Sequence, residues 1–222
     1  MASRNRLPPW HELIRLSNGR ELLLRPIHPL DAEPLRAGFA LLRPEEVRQR
    51  FLYAIKELSP EMAGRLTKPN PDNEFALVAA EPLPPGEALV GAVARIAVDP
   101  PREDGRLHAE FAILVSHYIA GMGLGRQLML RLVRWARRKR LHRIYGDVLE
   151  HNDAMLSLAK SLGFRREHAD TSGLARVVLD LDPAAGRGSD HDTDTGSGPG
   201  SRGTTPVVDT RRAQRTRPPG PA

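Results

Sequence analysis

The stretch 111–130, FAILVSHYIAGMGLGRQLML, most constrains what this chain can fold into. The apolar run from Phe111 to Val115 reads as a buried strand. Gly121, Gly123 and Gly125 follow at alternate positions. From Leu124 the apolar residues recur at helical spacing, through Leu128, Leu132, Val133 and Trp135. A strand, a glycine-rich loop and a helix N-terminus therefore follow directly on one another. Glycine lets main-chain amides come close to an anion, and a helix N-terminus carries partial positive charge. The unit is suited to holding a phosphate or pyrophosphate. Arg126 in the first turn opposes the helix dipole unless an anion lies beside it.

Around this unit the pattern alternates. HELIRL, SNGR and ELLLRPI (11–27) read as a β-hairpin, with Asn18-Gly19 supplying two positive-φ turn positions. Pro29 and Asp31 open a helix reaching about Leu42, Pro44-Glu45-Glu46 opens a second through VRQRFLYAI, and Ser59-Pro60-Glu61 a third. KPNPDN (68–73) is a loop. Strands are expected over 74–81, 88–99 and 107–117, then a helix over 123–140 and a strand over 143–150. Asn152 caps a further helix ending near Leu162, with Gly163 as its stop signal, and strands at 164–168 and 174–181 close the fold. This order predicts an α/β (α+β) sandwich with a mixed, mostly antiparallel central sheet and helices on both faces. A first parallel strand before the glycines is missing, and so is GxxxxGK[ST], which argues against Rossmann and P-loop folds.

Three segments are expected: an N-terminal extension over 1–10, one folded domain over 11–182, and a disordered tail over 183–222. From Pro183 to Ala222 there is no Leu, Ile, Phe, Met, Trp or Tyr, too little apolar surface to offset chain entropy. RRAQRTR (211–217) leaves a basic arm open as the alternative to an inert tail. The net charge of +6 suits an anionic cofactor or an acidic protein patch without demanding nucleic acid. Cysteine is absent, which excludes disulfides, thiolate nucleophiles and cysteine metal sites. The eight histidines lack ligand spacing, so no metal is expected. Neither a signal peptide nor an apolar run near 18 residues stands out, and a cytoplasmic protein off the membrane is the expectation. Nothing in the sequence speaks to oligomeric state.

GMGLGRQLM, the strand AEFAILV before it and HNDAMLSLAKSLGF (151–164) after it resemble the GNAT superfamily of N-acetyltransferases. RLSNGRELLLRPIHPLDAEPL and FLYAIKELSPEMAGRLT resemble, more narrowly, the acetyltransferase domain of bacterial Pat-type protein lysine acetyltransferases. The likeness spans about residues 11–182. It implies a GNAT fold, acetyl-CoA as co-substrate, and an amine acceptor, either a protein lysine (on acyl-CoA synthetases in the Pat case) or a small amine. It also implies that the loop binds the cofactor pyrophosphate. The arginine or glutamine of the family's loop motif falls on Ala120, which removes a side-chain contact. A tyrosine acid that many relatives carry falls on Ala159.

Acetyl transfer to an amine needs the proton of the ammonium removed, at a cost of about 4–5 kcal/mol for a lysine of pKa about 10.4. The thiolate leaves readily, so a base matters more than an acid. Glu110 is the expected base, which the resemblance also implies. Strand alternation sets Glu110, Ala112 and Leu114 opposite Phe111, Ile113 and Val115, and burial on the first face would raise the pKa of Glu110. Leu114 and Val115 are expected to offer main-chain groups to the pantetheine arm. Gly121, Met122, Gly123, Leu124, Gly125 and Arg126 form the pyrophosphate loop. Asn152 either contacts the cofactor or serves as a plain helix cap, and the two roles can coexist. RWARRKRLHR (134–143) meets the 3′-phosphate of CoA or an acidic partner, or is a solvated face. His117 and Tyr118 line the acceptor channel or are plain surface. A module that senses acyl-CoA without catalysis is a further reading, which Glu110 opposes.

Overall fold

A computed structural model of the chain describes residues 8–181. The expected tail over 183–222 and most of the expected extension over 1–10 lie outside the described residues. The hairpin forms as predicted, from β1 (Glu12–Arg15) and β2 (Glu21–Pro26). Its turn differs from the expected one. Leu16 N–H donates to Arg20 O (2.8 Å) and Gly19 N–H to Leu16 O (2.9 Å), which leaves a loop of Ser17, Asn18 and Gly19. Only Gly19 takes positive φ, as a three-residue hairpin loop requires. The Asn18 side chain instead accepts from Arg20 N–H.

A 3-10 turn (Pro29–Asp31) leads into α1 (Ala32–Phe39), followed by α2 (Pro44–Phe51) and α3 (Pro60–Leu66). Ser59 Oγ accepts from Met62 N–H and caps α3. α2 stops four residues short of Ile55 because Leu52 turns left-handed (φ 64°) and closes the helix onto Arg48 O. That stop places the ring of Phe51 edge-on to Phe39. The remaining elements are β3 (Glu74–Ala80), β4 (Val90–Val98), β5 (His108–Val115), α4 (Leu124–Arg138), β6 (Arg143–Leu149), α5 (Asp153–Ser161), β7 (Arg165–His168) and β8 (Leu174–Asp180).

The strands make one sheet in the order β1-β2-β3-β4-β5-β6-β8-β7. Every neighbouring pair is antiparallel except β5 and β6. Alternation along the strands sorts their side chains onto two faces. Leu77, Ala79, Ala92, Ala94, Ile96 and Phe111 pack with Leu128, Leu132 and Ala136 of α4 and Ala159 of α5. Ala76, Val78 and Ala80 face the other way, with Leu35 of α1 against them. α1, α2 and α3 share a smaller core of Phe39, Val47, Leu58 and Met62. Trp10 packs against Phe75, which stacks flat on Trp135 of α4. No helix among the described residues is long and apolar enough to cross a membrane.

Candidate active site

β5 is paired with β4 along its whole length, from Ala109 to Val115. Its parallel ladder to β6 holds only for His108, Ala109 and Glu110. β6 turns away with β8, which it follows from Arg143 to Leu149. Past Glu110 the two central strands therefore part, and a cleft opens beside Ile113, Leu114 and Val115. Phe111 stands at the fork. Its ring lies against Gly146, where any Cβ would come within 2.8 Å of it, and meets Phe164 edge-on at 5.5 Å. Bonds from Asp99 N–H to His108 O and from Ser116 N–H to Gly91 O set every second residue of β5 toward β4. Leu114 therefore pairs with Val93 and does not offer its main chain as expected, while the β6-facing groups of Ile113 and Val115 have no ladder partner among the described residues. They can pair with an extended chain that carries amides.

The glycine loop joins β5 to α4 at the mouth of this cleft. Gly121 and Gly123 both have φ +77°, and a Cβ added to either would meet nothing within 4 Å. They are glycine because of the backbone turn, and the space beside them is free for a ligand. Gly123 caps α4 without any side-chain hydrogen bond, and no acidic residue occupies the first turn. The first-turn amides of Leu124, Gly125 and Arg126 thus point outward at the positive end of a 15-residue helix. Pyrophosphate fits this cradle. Gly125 has a different reason to be glycine, since its Cβ would stand 3.2 Å from Leu158 of α5. Arg126 reaches Ser161 Oγ (3.3 Å) at the C-terminal end of α5, where a cation suits the dipole. Met122 is half-buried and packs against the core behind the loop.

Asn152 caps α5, its Oδ1 accepting from Met155 N–H at 3.1 Å. Ala159 is fully buried in the core between α5 and the sheet. The basic run 134–143 does not reach the loop. Arg137 and Arg138 lie in the last turn of α4, about 20 Å from its first residue. Arg134 and Arg138 cover the ring of Trp10, and Lys139 donates to Asp72 O.

Glu110 sits at the fork, beside Ala97 of β4 and Tyr145 of β6. The expected burial is not found: Glu110 is exposed. Ala97 offers only a methyl group as cover, and the Tyr145 hydroxyl donates instead to Asp99 (2.9 Å). Arg50 of α2, a residue the sequence reading passed over, comes near enough for its charge to act on Glu110. Arg50 is half-buried and stands close to Arg95, and burial and the like charge draw its pKa down to about 10, with Glu110 and Tyr53 pulling the other way. Arg95, on β4 between Ala76 and Ala112, is already engaged by Glu74 (2.7 Å) and by Leu66 O (3.1 Å).

Arg50 and Arg95 line a cavity of about 330 Å³ between α1–α3 and the sheet. Its walls are apolar, with Leu35, Phe39, Phe51, Leu58, Val93 and Leu114 among them. α2 also reaches across to the two loops that border the cleft. Glu46 accepts from His117 N–H (2.7 Å) and contacts His117 Nδ1 (2.8 Å), and Glu45 contacts His151 Nε2 (3.2 Å). Burial pushes the Glu46 carboxyl up, but bonds from the Arg43 and His117 amides and the His117 ring outweigh it and hold it below its usual range. Glu46 was legible only as a helix-capping residue, a role it also fills through Arg43 N–H. His117 is therefore a tie between α2 and the loop, while Tyr118 is exposed and stacks on it.

The family model for the acetyltransferase (GNAT) family matches residues 38–164, more than half of the chain. The chain belongs to the GNAT acetyltransferases. An acetyltransferase of Pseudomonas aeruginosa is 32% identical over 154 residues, 69% of this chain and 80% of that protein. Among solved structures, the GNAT domain of Streptomyces lividans Pat superposes with a TM-score of 0.68 at 25% identity, over 79% of this chain and all of that domain. The ribosomal-protein-alanine N-acetyltransferase of Brucella melitensis shares the fold, with a TM-score of 0.57 at 23% identity, over 72% of this chain and all of that one. This GNAT enzyme is thus an N-acetyltransferase with acetyl-CoA as co-substrate and an amine as acceptor. No group of three or more His, Cys, Asp or Glu among the described residues could hold a metal ion.

Proposed function

We propose that this GNAT enzyme acetylates the ε-amine of a lysine in a partner protein, by direct attack on acetyl-CoA with Glu110 as general base. The observation that carries the reading is the likeness to the Pat GNAT domain, which this chain matches over that domain's full length. Pat-type resemblance in 11–27 and 51–67 supports the same acceptor class, with acyl-CoA synthetases as candidate partners.

Acetyl-CoA supplies the acetyl group as an activated thioester. First-turn amides of α4, from Leu124 to Arg126, with the turn at Gly121, Met122 and Gly123, hold its pyrophosphate. Unpaired main-chain groups of Val115 align its pantetheine arm along β5, where Leu114 is held to β4. Asn152, by capping α5, fixes the loop on the opposite side of the cleft. Glu110 takes the proton from the acceptor ammonium at its carboxylate, and its exposed position lets a docking protein reach it. Arg50 lies close enough for its charge to interact with that carboxylate.

The test is incubation with isotopically labelled acetyl-CoA and cell extract, with acetylated lysines read by mass spectrometry. Labelled lysines in defined proteins are expected, and Glu110→Gln should lower turnover about 10²–10⁴-fold while acetyl-CoA binding persists. Label recovered only on small amines would replace the acceptor class. Near-normal turnover in the Gln variant would remove Glu110 from its role.

A further inference from the structure

The cavity under α1–α3 combines features that a cofactor loop does not explain. Its walls are apolar, and the exposed side chains of Leu41, Leu89 and Tyr118 carry that character out to the rim. Polar groups on the wall are few. Arg20 at the edge faces Glu81 (3.7 Å), and Arg95 is held by Glu74 and Leu66 O. Arg50 differs from both. It makes no ion pair among the described residues, and its guanidinium lies over the ring of Phe51 at 4.8 Å. Glu110 is the anion whose charge reaches it, and the guanidinium keeps donors for a second carboxylate. The cavity therefore has the chemistry of a site for an apolar group accompanied by a carboxylate.

Its position says what carries these groups. Leu114 on the wall and Glu110 at the fork share one face of β5, four residues and about 13 Å apart. Arg50 lines the cavity and also feels the charge of Glu110. A free amine that put its nitrogen at Glu110 would have to span that distance to fill the cavity. An extended polypeptide does so with neighbouring side chains, at about 3.3 Å per residue.

Resting on the reading of a protein lysine as acceptor, we propose that this cavity selects the residues around that lysine. A bulky apolar side chain of the acceptor segment enters the cavity, and an acidic side chain within a few positions of the lysine pairs with Arg50. Arg95 holds α3 to the sheet and shapes the wall, without contributing to the pairing.

The test uses the full chain, acetyl-CoA and synthetic lysine peptides bearing one Leu and one Glu near the lysine, against versions with Glu→Gln, Glu→Lys or Leu→Ser. For the unaltered enzyme, kcat/KM should fall about tenfold or more for Glu→Gln, as expected for a charge-assisted pair, and further for Glu→Lys. Leu→Ser should lower it by a similar factor. In Arg50→Gln the Glu-to-Gln peptide ratio should collapse toward one, and Arg50→Lys should restore part of it. Both ratios are internal to one protein preparation, and the unaltered enzyme's own ratios stand even where a variant folds poorly. Equal rates across the peptides, or a ratio unchanged in Arg50→Gln, overturn the inference and leave the lysine reading intact. Acetyl-CoA binding without acetylation of any peptide or extract lysine overturns both.

Discussion

Behind the sheet, α4 and α5 press Leu128, Leu132, Ala136 and Ala159 onto strand alanines and Ile96, in a core whose buried members are all apolar. In front, α1–α3 leave a cavity, and the sheet carries the buried charges. Arg25 lies across from Val78 on this face, and Asp31 grips it through two bonds of 2.7 Å each. His108 is buried on the face of Glu110, where burial and the charges of Arg102 and Arg143 lower its pKa and favour the neutral ring. The back is built by close packing and ends in the glycine loop and the uncapped first turn of α4. The front is built by directed polar contacts around space. The contrast suits an enzyme whose cofactor is fixed by its family and whose acceptor distinguishes it from its relatives.

The sharpest way to break this contrast is at the Arg25–Asp31 pair. Asp31→Asn leaves a buried guanidinium without its counter-charge and should cost about 3–5 kcal/mol in urea unfolding. A loss below about 1 kcal/mol would mean that the front face does not depend on its charges. The back face is probed by Gly125→Leu, which drives a side chain into Leu158. Overpacking there should cost about 1–3 kcal/mol, with acetyl-CoA affinity falling as α5 is displaced. Gly123→Val separates backbone from packing, because it meets no neighbour but must hold φ +77°. Strain of about 1–2 kcal/mol is expected, together with weaker acetyl-CoA binding by calorimetry.

Glu46→Gln is the mildest change, at about 1 kcal/mol, and it bears a pH signature. Because the folded-state pKa of Glu46 is lowered, its contribution is present above the unfolded pKa and is lost as pH falls through the folded value. The stability gap between the unaltered protein and Glu46→Gln should therefore close in acid. A gap that persists there would show that Glu46 acts through packing alone.

The back face and the glycine loop were legible because their signals are local. Helical spacing from Leu124 to Trp135, the strand run before it and the cap at Asn152 each lie within a few turns of chain. The front face was not. Its cavity needs α1, α2, α3 and four strands to converge, and Arg50 reads in sequence as one more basic residue on a charged helix. Glu110 shows the same limit. Alternation gave its face correctly, but its exposure is set by residues of other elements brought beside it by the fold. The early stop of α2 likewise turns on Leu52 adopting a left-handed turn that lets Phe51 reach Phe39.

Glu45 and Glu46 tie one short helix to His151 and His117, one on each loop that borders the cleft. That helix also carries Arg50 and Phe51 into the cavity under α1–α3. An acceptor that shifts α2 on docking must then shift the grip on acetyl-CoA as well. Linkage makes the exchange symmetrical: whatever factor the acceptor imposes on cofactor affinity, the cofactor imposes on acceptor affinity. Two substrates that meet only at the reacting atoms would in this way already be in energetic contact through eight residues of helix.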